Sequence, residues 1–239
     1  MESIDFSSYT LSYASRKELR GTNKIKNSDD ILYLLKCAEG KDKYDCPVLC
    51  SFSNAKKQID QYNGSNVAFI DLDCTEMTEM IISGRERLFA YMENIIFMQK
   101  SSSGKMHIVC HIPWSATIEE YRKNSLKTNI LFKRYVKDIF QFDSDNLSFG
   151  RIDNNKDNKL YWMDSSVMSP TQVLFLSSNE VYFNDWVVCT DEEYNFDVMD
   201  SISGDNPEMN VSSPVFNIFN NNNNNASSST PTPNKANED

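Results

Sequence analysis

The stretch "VAFIDLD", residues 67–73, limits what this chain can fold into more than any other part of it. Side chains along a strand alternate between its two faces, so Val67, Phe69, Asp71 and Asp73 share one face and Ala68, Ile70 and Leu72 the other. With both faces apolar, the strand is expected at the centre of a sheet covered on both sides. Its end is the difficulty. Two carboxylates pointing the same way repel and lose hydration unless a cation sits between them. The residues leave two readings open. In one, the strand emerges into solvent, and Asp-Leu-Asp begins a turn or caps the next helix. In the other, two oxygen donors roughly 6–7 Å apart along a strand hold Mg²⁺ or Mn²⁺, and can serve a pair of such ions about 4 Å apart.

Composition narrows the class. The 239 residues are 40% hydrophobic and include 14 Phe and 11 Tyr, enough for one large domain or two small ones with a real core. No run approaches the roughly 18 apolar residues of a membrane span, and "MESIDFSSYT" lacks the blocks of a signal peptide. A cytosolic protein with no membrane partner is expected. Without that signal, Cys37, Cys46, Cys50, Cys74, Cys110 and Cys189 read as free buried thiols rather than disulfides. Cys46-x₃-Cys50 resembles half of a zinc site, but no second close Cys or His pair completes it. The net charge of −10 is unevenly spread: residues 190–239 carry nine acids and a single base, a net of −8, leaving −2 on residues 1–189. Bases cluster in "SRKELRGTNKIK" (15–26) and "YRKNSLKTNILFKRYVKD" (121–138), which permits a nucleic-acid partner without requiring one.

Along the chain, residues 28–39 read as a short helix with Ser28 as cap, Ile31, Leu32, Leu34 and Leu35 as the apolar face and Gly40 as terminator. "CPVLCSFS" (46–53) reads as a strand. Residues 75–94 have helical spacing despite Gly84, followed by a hairpin of "IIFMQK" (95–100) and "MHIVCHIPW" (106–114) around "SSSGK". Thr117 and Glu120 form a capping box for a long amphipathic helix to about Ile139, with Ile130, Leu131, Tyr135 and Ile139 inward. Segment 143–158 reads as a loop, and "KLYWMD" (159–164), "QVLFLS" (172–177) and "EVYFNDWVV" (180–188) as further strands. The succession predicts an α+β fold with a mixed or antiparallel sheet and helices packed on it. Residues 190–239 are Asn-, Ser- and Pro-rich and are expected to be a disordered tail or linker, within which "PVFNIF" (214–219) reads as a chance apolar patch rather than a docking peptide.

Two further stretches bear on the Asp pair. "QKSSSGKMHIVC" (99–110) sets a Ser/Gly turn, Lys105 and His107 at the start of a strand, where turn N–H groups, an ammonium and an imidazole suit a triphosphate. Ordinary hairpin loops share this pattern, and the spacing of a Walker A loop is absent. His107 and His111 are not a metal pair, since four residues of extended strand separate them by roughly 13 Å. "LYWMDSS" ends another apolar strand on an acid, Asp164, and a third carboxylate completes what two-metal phosphoryl transfer needs.

The succession "FIDLD", "SSSGKMH", "WMD" resembles the three motifs of the archaeo-eukaryotic primase superfamily: apolar-Asp-x-Asp, a small-or-basic-x-His motif and apolar-Asp. "SSSGKMHIVCHI" and "DSSVMSPTQVLFLSSNEVYFN" (164–184) are similar to primase-like domains of phages and mobile elements, including the type named after the VirE N-terminal domain. The resemblance covers roughly residues 45–189. It implies a sheet related to the RNA-recognition motif joined to a smaller α/β unit, within a catalytic domain spanning residues 1–189. It implies template-directed nucleotide polymerisation on single-stranded DNA, a DNA primase or polymerase using nucleoside triphosphates, in the cytoplasm of a host where the gene is carried by a phage. By position, Asp71, Asp73 and Asp164 would bind two Mg²⁺ or Mn²⁺ ions, and Ser103, Gly104, Lys105 and His107 would hold the nucleotide's phosphates. Lys105 stands where the superfamily often has Ser, and Gln172 where an Arg commonly follows the third motif; Arg151 is a candidate replacement. An alternative is a non-catalytic, primase-like nucleic-acid-binding module of a replication complex, and a third reading turns the carboxylates to metal-dependent nuclease work. With no helicase element in the sequence, unwinding would fall to a helicase or other replication protein.

Overall fold

Strand-forming stretches gather into two sheets, and the chain crosses between them more than once. The computed structural model describes residues 3–15, 23–41, 45–52, 59–140, 148–150, 161–176 and 180–185. In chain order the strands are β1 (Ser12–Ser15), β2 (Asn23–Lys24), β3 (Pro47–Cys50), β4 (Ser65–Leu72), β5 (Ile95–Lys100), β6 (Met106–Ser115), β7 (Ser148–Gly150), β8 (Tyr161–Asp164), β9 (Leu174–Phe175) and β10 (Val181–Phe183). The helices are α1 (Ser28–Ala38), α2 (Thr75–Ser83), α3 (Arg85–Tyr91) and α4 (Ile118–Phe140). The larger sheet has the order β10-β5-β6-β4-β8-β7 and the smaller β2-β1-β3-β9. Pairing is antiparallel throughout, except that β7 lies parallel to β8. The α+β expectation holds, with two sheets rather than one.

Strand β4 is central and covered on both faces, as its composition requires. On one face Ile70 and Leu72 pack with Met77 and Ile81 of α2, Leu88 of α3 and Phe132 and Tyr135 of α4. On the other, Val67 and Phe69 pack with Leu49 of β3, Leu174 of β9 and Leu34 of α1. The result is three layers: helices, the six-stranded sheet, and the smaller sheet with α1. Phe97 of β5 ties the second interface together, its ring 6.2 Å from that of Phe6 and 5.8 Å from that of Phe183.

Local signals explain most of the boundaries. Thr117 and Glu120 form the reciprocal capping box: Glu120 N donates to Thr117 Oγ1 at 3.2 Å and Thr117 N to Glu120 Oε2 at 3.0 Å. Ile130, Leu131 and Tyr135 are buried beneath α4 as expected. Several expectations need correction. The cap of α1 is Asn27, whose side chain accepts from Asp30 N at 3.0 Å, while Ser28 Oγ turns inward to accept from Ile4 N; Leu32 faces out, at 40% exposure. The 75–94 helix is two, because Gly84 both closes α2, its N–H donating to Met80 and Ile81 carbonyls, and opens α3, its carbonyl accepting from Arg87 and Leu88. The strands expected over 172–177 and 180–188 are shorter within the described residues, at Leu174–Phe175 and Val181–Phe183. Strands β1 and β2 carry no clear period-2 signal, and β7 falls inside the expected 143–158 loop.

Cys46, Cys50 and Cys110 are buried free thiols, and burial pushes the Cys50 thiol up to about 12; Cys37 and Cys74 are only half-buried, contrary to expectation. Among the described residues no helix is long and apolar enough to cross a membrane. The tail 190–239 with "PVFNIF", Arg151 and Cys189 lie outside the described residues.

Because Phe97 is buried in the core between the two sheets while Thr117 only closes a helix end, Phe97→Ala should cost about 3–5 kcal/mol and Thr117→Ala about 1 kcal/mol in urea unfolding. Equal costs would mean that the interface between the sheets contributes little.

Candidate functional site

The polar end of β4 is built by register. Strand β6 pairs antiparallel with both β4 and β5, setting His107 opposite Asp71 on one side and opposite Gln99 on the other. Leu72 pairs with Met163 of β8, and one step further in that antiparallel register Asp71 faces Asp164. A polar row, Asp164–Asp71–His107–Gln99, therefore crosses four strands on the sheet face that otherwise carries Val67, Phe69 and Val109. Directly opposed like charges destabilise a strand pair, so the two carboxylates need compensation.

That compensation comes from the start of β6. His107 Nε2 lies 3.7 Å from Asp71 Oδ1, an ion pair when the imidazole is protonated. Two residues before it, Lys105 Nζ lies 2.5 Å from Asp73 Oδ1. Asp73 follows the last residue of β4 and precedes Cys74, the cap residue of α2, which makes no side-chain cap bond. The acids therefore neither fray into solvent nor cap the next helix. The other ring nitrogen, His107 Nδ1, is 3.1 Å from the backbone carbonyl of Phe175 in β9. A carbonyl only accepts, so Nδ1 carries the hydrogen and Nε2 is the atom presented to the site.

Ser101 shapes the loop between β5 and β6. Its N–H donates to the Lys105 carbonyl at 2.7 Å, its carbonyl accepts from Gly104 N at 2.9 Å, and its hydroxyl accepts from Lys105 N at 3.1 Å. Gly104 adopts φ +78, and a Cβ there would lie 2.6 Å from Thr75 Cγ2. Its part is conformational, with its N–H engaged in closing the turn rather than offered to a ligand. Asp164 has a structural task as well: its Oδ1 accepts from Ser166 N at 2.8 Å and caps the 3₁₀ turn Ser165–Met168.

These elements enclose a cavity of about 420 Å³ lined by Asp71, Asp73 and Asp164, by Ser101–Ser103, Lys105 and His107, and from the smaller sheet's side by Cys46 and Gln172–Phe175. Of the seven residues named as metal or phosphate ligands in the sequence, only Gly104 is absent from the lining. Gln99, which backs His107 in the polar row without lining the cavity, was missed, although it carries the same signal as Asp71, a polar residue closing an apolar strand in step with an inward Phe. Cys46 and Ser101 carry no such signal.

Hard oxygen donors of this kind fit Mg²⁺ or Mn²⁺ by their chemistry. Yet among the described residues no group of three or more His, Cys, Asp and Glu side chains is arranged to hold a metal ion, and Asp73 is engaged by Lys105 instead. Set against protein-family models, curated proteins and solved structures, the chain matches none.

Gly104→Ala should destabilise by about 1–3 kcal/mol, because positive φ is strained for any side chain and the Thr75 contact adds to it. Gly40→Ala is the control, with φ +71 and nothing within 4 Å of its Cβ. Thermal unfolding of both separates strain from contact; no excess cost at Gly104 would remove Thr75 from the account.

Proposed function

We propose that the chain is a template-directed nucleotidyltransferase of the archaeo-eukaryotic primase kind, joining nucleotides on a single-stranded DNA template. The observation that carries this reading is the convergence of Asp71, Asp73, Asp164, Lys105 and His107, drawn from three separate stretches of sequence, on one cavity. Its volume of about 420 Å³ lies in the range of small-molecule pockets, about 300–1,000 Å³. Chain order supports the same relation: β4, the α2–α3 pair, β5, β6, α4 and, after the short added strand β7, β8 run β-α-β-β-α-β with sheet order β5-β6-β4-β8, as expected of a sheet related to the RNA-recognition motif. The smaller sheet with α1 answers to the smaller α/β unit.

In this reading the chain's own groups divide the work. Asp71, Asp73 and Asp164 supply the oxygen donors for Mg²⁺ or Mn²⁺. Bound there, such ions would supply Lewis acidity toward a 3′-hydroxyl and charge neutralisation toward pyrophosphate. Lys105 donates to phosphate oxygens, and His107 Nε2 does so when the imidazole is protonated, with the Phe175 carbonyl holding the ring's orientation through Nδ1–H. The Ser103 hydroxyl, 2.9 Å from that of Ser101, is a further donor at the cavity wall. A helicase or another replication protein would supply unwinding.

One observation favours a second reading, a non-catalytic nucleic-acid binder within a replication complex. Gln172 lines the cavity where the family commonly has Arg, so Lys105 and His107 are the basic side chains among its lining residues.

The test is to incubate the protein with single-stranded DNA, labelled nucleotides and Mn²⁺ or Mg²⁺, with and without primer. Synthesis is expected, and Asp71→Asn, Asp73→Asn and Asp164→Asn should each lower it by orders of magnitude with the fold intact by circular dichroism. His107→Ala should raise the nucleotide KM, the loss of a hydrogen bond worth about 1–3 kcal/mol. DNA binding without synthesis selects the second reading, and shortened template selects a nuclease.

A further inference from the structure

Only 11% of the Asp73 side chain is exposed, and a carboxylate at that depth needs a counter-charge. Lys105 supplies it. An ammonium nitrogen 2.5 Å from Oδ1 occupies the space in which a divalent ion would sit at about 2.0–2.1 Å from the same oxygen. Two cations cannot share that position, since each raises the cost of the other. The two occupants differ in how they are held. The Lys105 backbone is fixed at both its N–H and its carbonyl by Ser101, whereas its side chain is 37% exposed, so the ammonium can leave Asp73 without disturbing the loop.

We propose that Lys105 is a built-in competitor of the divalent cation at Asp73, displaced when the metal binds and thereby released, still tethered to the cavity wall, toward the phosphates of an incoming nucleotide. The proposal rests on the metal-dependent reading above and adds to it an order of events. While Lys105 neutralises Asp73, the cavity lacks both its metal and its free ammonium; one exchange supplies both. By linkage, metal and triphosphate then strengthen each other's binding through the same side chain.

Titration calorimetry with Mn²⁺ alone, on the full chain, tests the exchange. Lys105→Met should tighten Mn²⁺ binding roughly tenfold, within the usual range of coupling between competing ligands. It should also lower the Tm without metal and recover it with Mn²⁺. In an Asp73→Asn background, Lys105→Met should change neither quantity. A second measurement needs no variant: saturating Mg²⁺ should raise acylation of the Lys105 amine by an amine-reactive ester, read by mass spectrometry, while acylation of Lys24 stays constant. Mn²⁺ affinity equal in parent and Lys105→Met, or Lys105 acylation unmoved by saturating Mg²⁺, overturns the exchange and leaves the metal reading standing. No Mn²⁺ binding by either protein overturns both.

Discussion

The burial of β4 on both faces is the constraint from which the rest of the molecule follows. Val67, Phe69, Ile70 and Leu72 have no exposed surface, so one layer of helices and one layer of sheet must be held against a single strand. An apolar strand walled in this way admits charge only where a covering layer stops. Asp71 and Asp73 sit at that edge, between the β5–β6 loop and the smaller sheet. The cavity is thus a product of layering, opening where β9 and its flanking residues fail to seal the sheet.

Electrostatics then decides what the edge looks like without a ligand. Acids at alternate positions of one strand end meet a lysine and a histidine at alternate positions of the next, so matching periodicity pairs Asp71 with His107 and Asp73 with Lys105. Asp164 lies outside this ladder and uses one oxygen on the turn that follows it. The three acids are therefore not equivalent, although all line the same cavity.

Much of this was legible in the residues. The parity of "VAFIDLD" placed Asp71 with Val67 and Phe69 and predicted a covered strand, and Thr117 with Glu120 marked the start of α4. What stayed hidden has a physical cause in each case. Asn27 outcompeted Ser28 as a cap because Ser28 is drawn into contact with Ile4, a partner 24 residues away that no local pattern reveals. Half of the smaller sheet escaped notice because β1 and β2 are four and two residues long, too short for alternation to register, and are held by pairing across the chain. Lys105 was expected to face phosphates; its pairing with Asp73 depends on the hairpin register, which sequence alone does not specify.

The anchoring of His107 has a genetic consequence. Its ring nitrogen hangs on a main-chain carbonyl, so any side chain at position 175 can supply the same acceptor, and point substitutions there are buffered as far as the imidazole is concerned. The spacing of the chain is not buffered. Residue 175 is held at its place by the pairing of Leu174 and Phe175 with Leu49 and Val48, and an insertion or deletion between Asp164 and Leu174 would slide that carbonyl off register and free the ring. Variation within this segment should therefore appear as changes of letter at constant length.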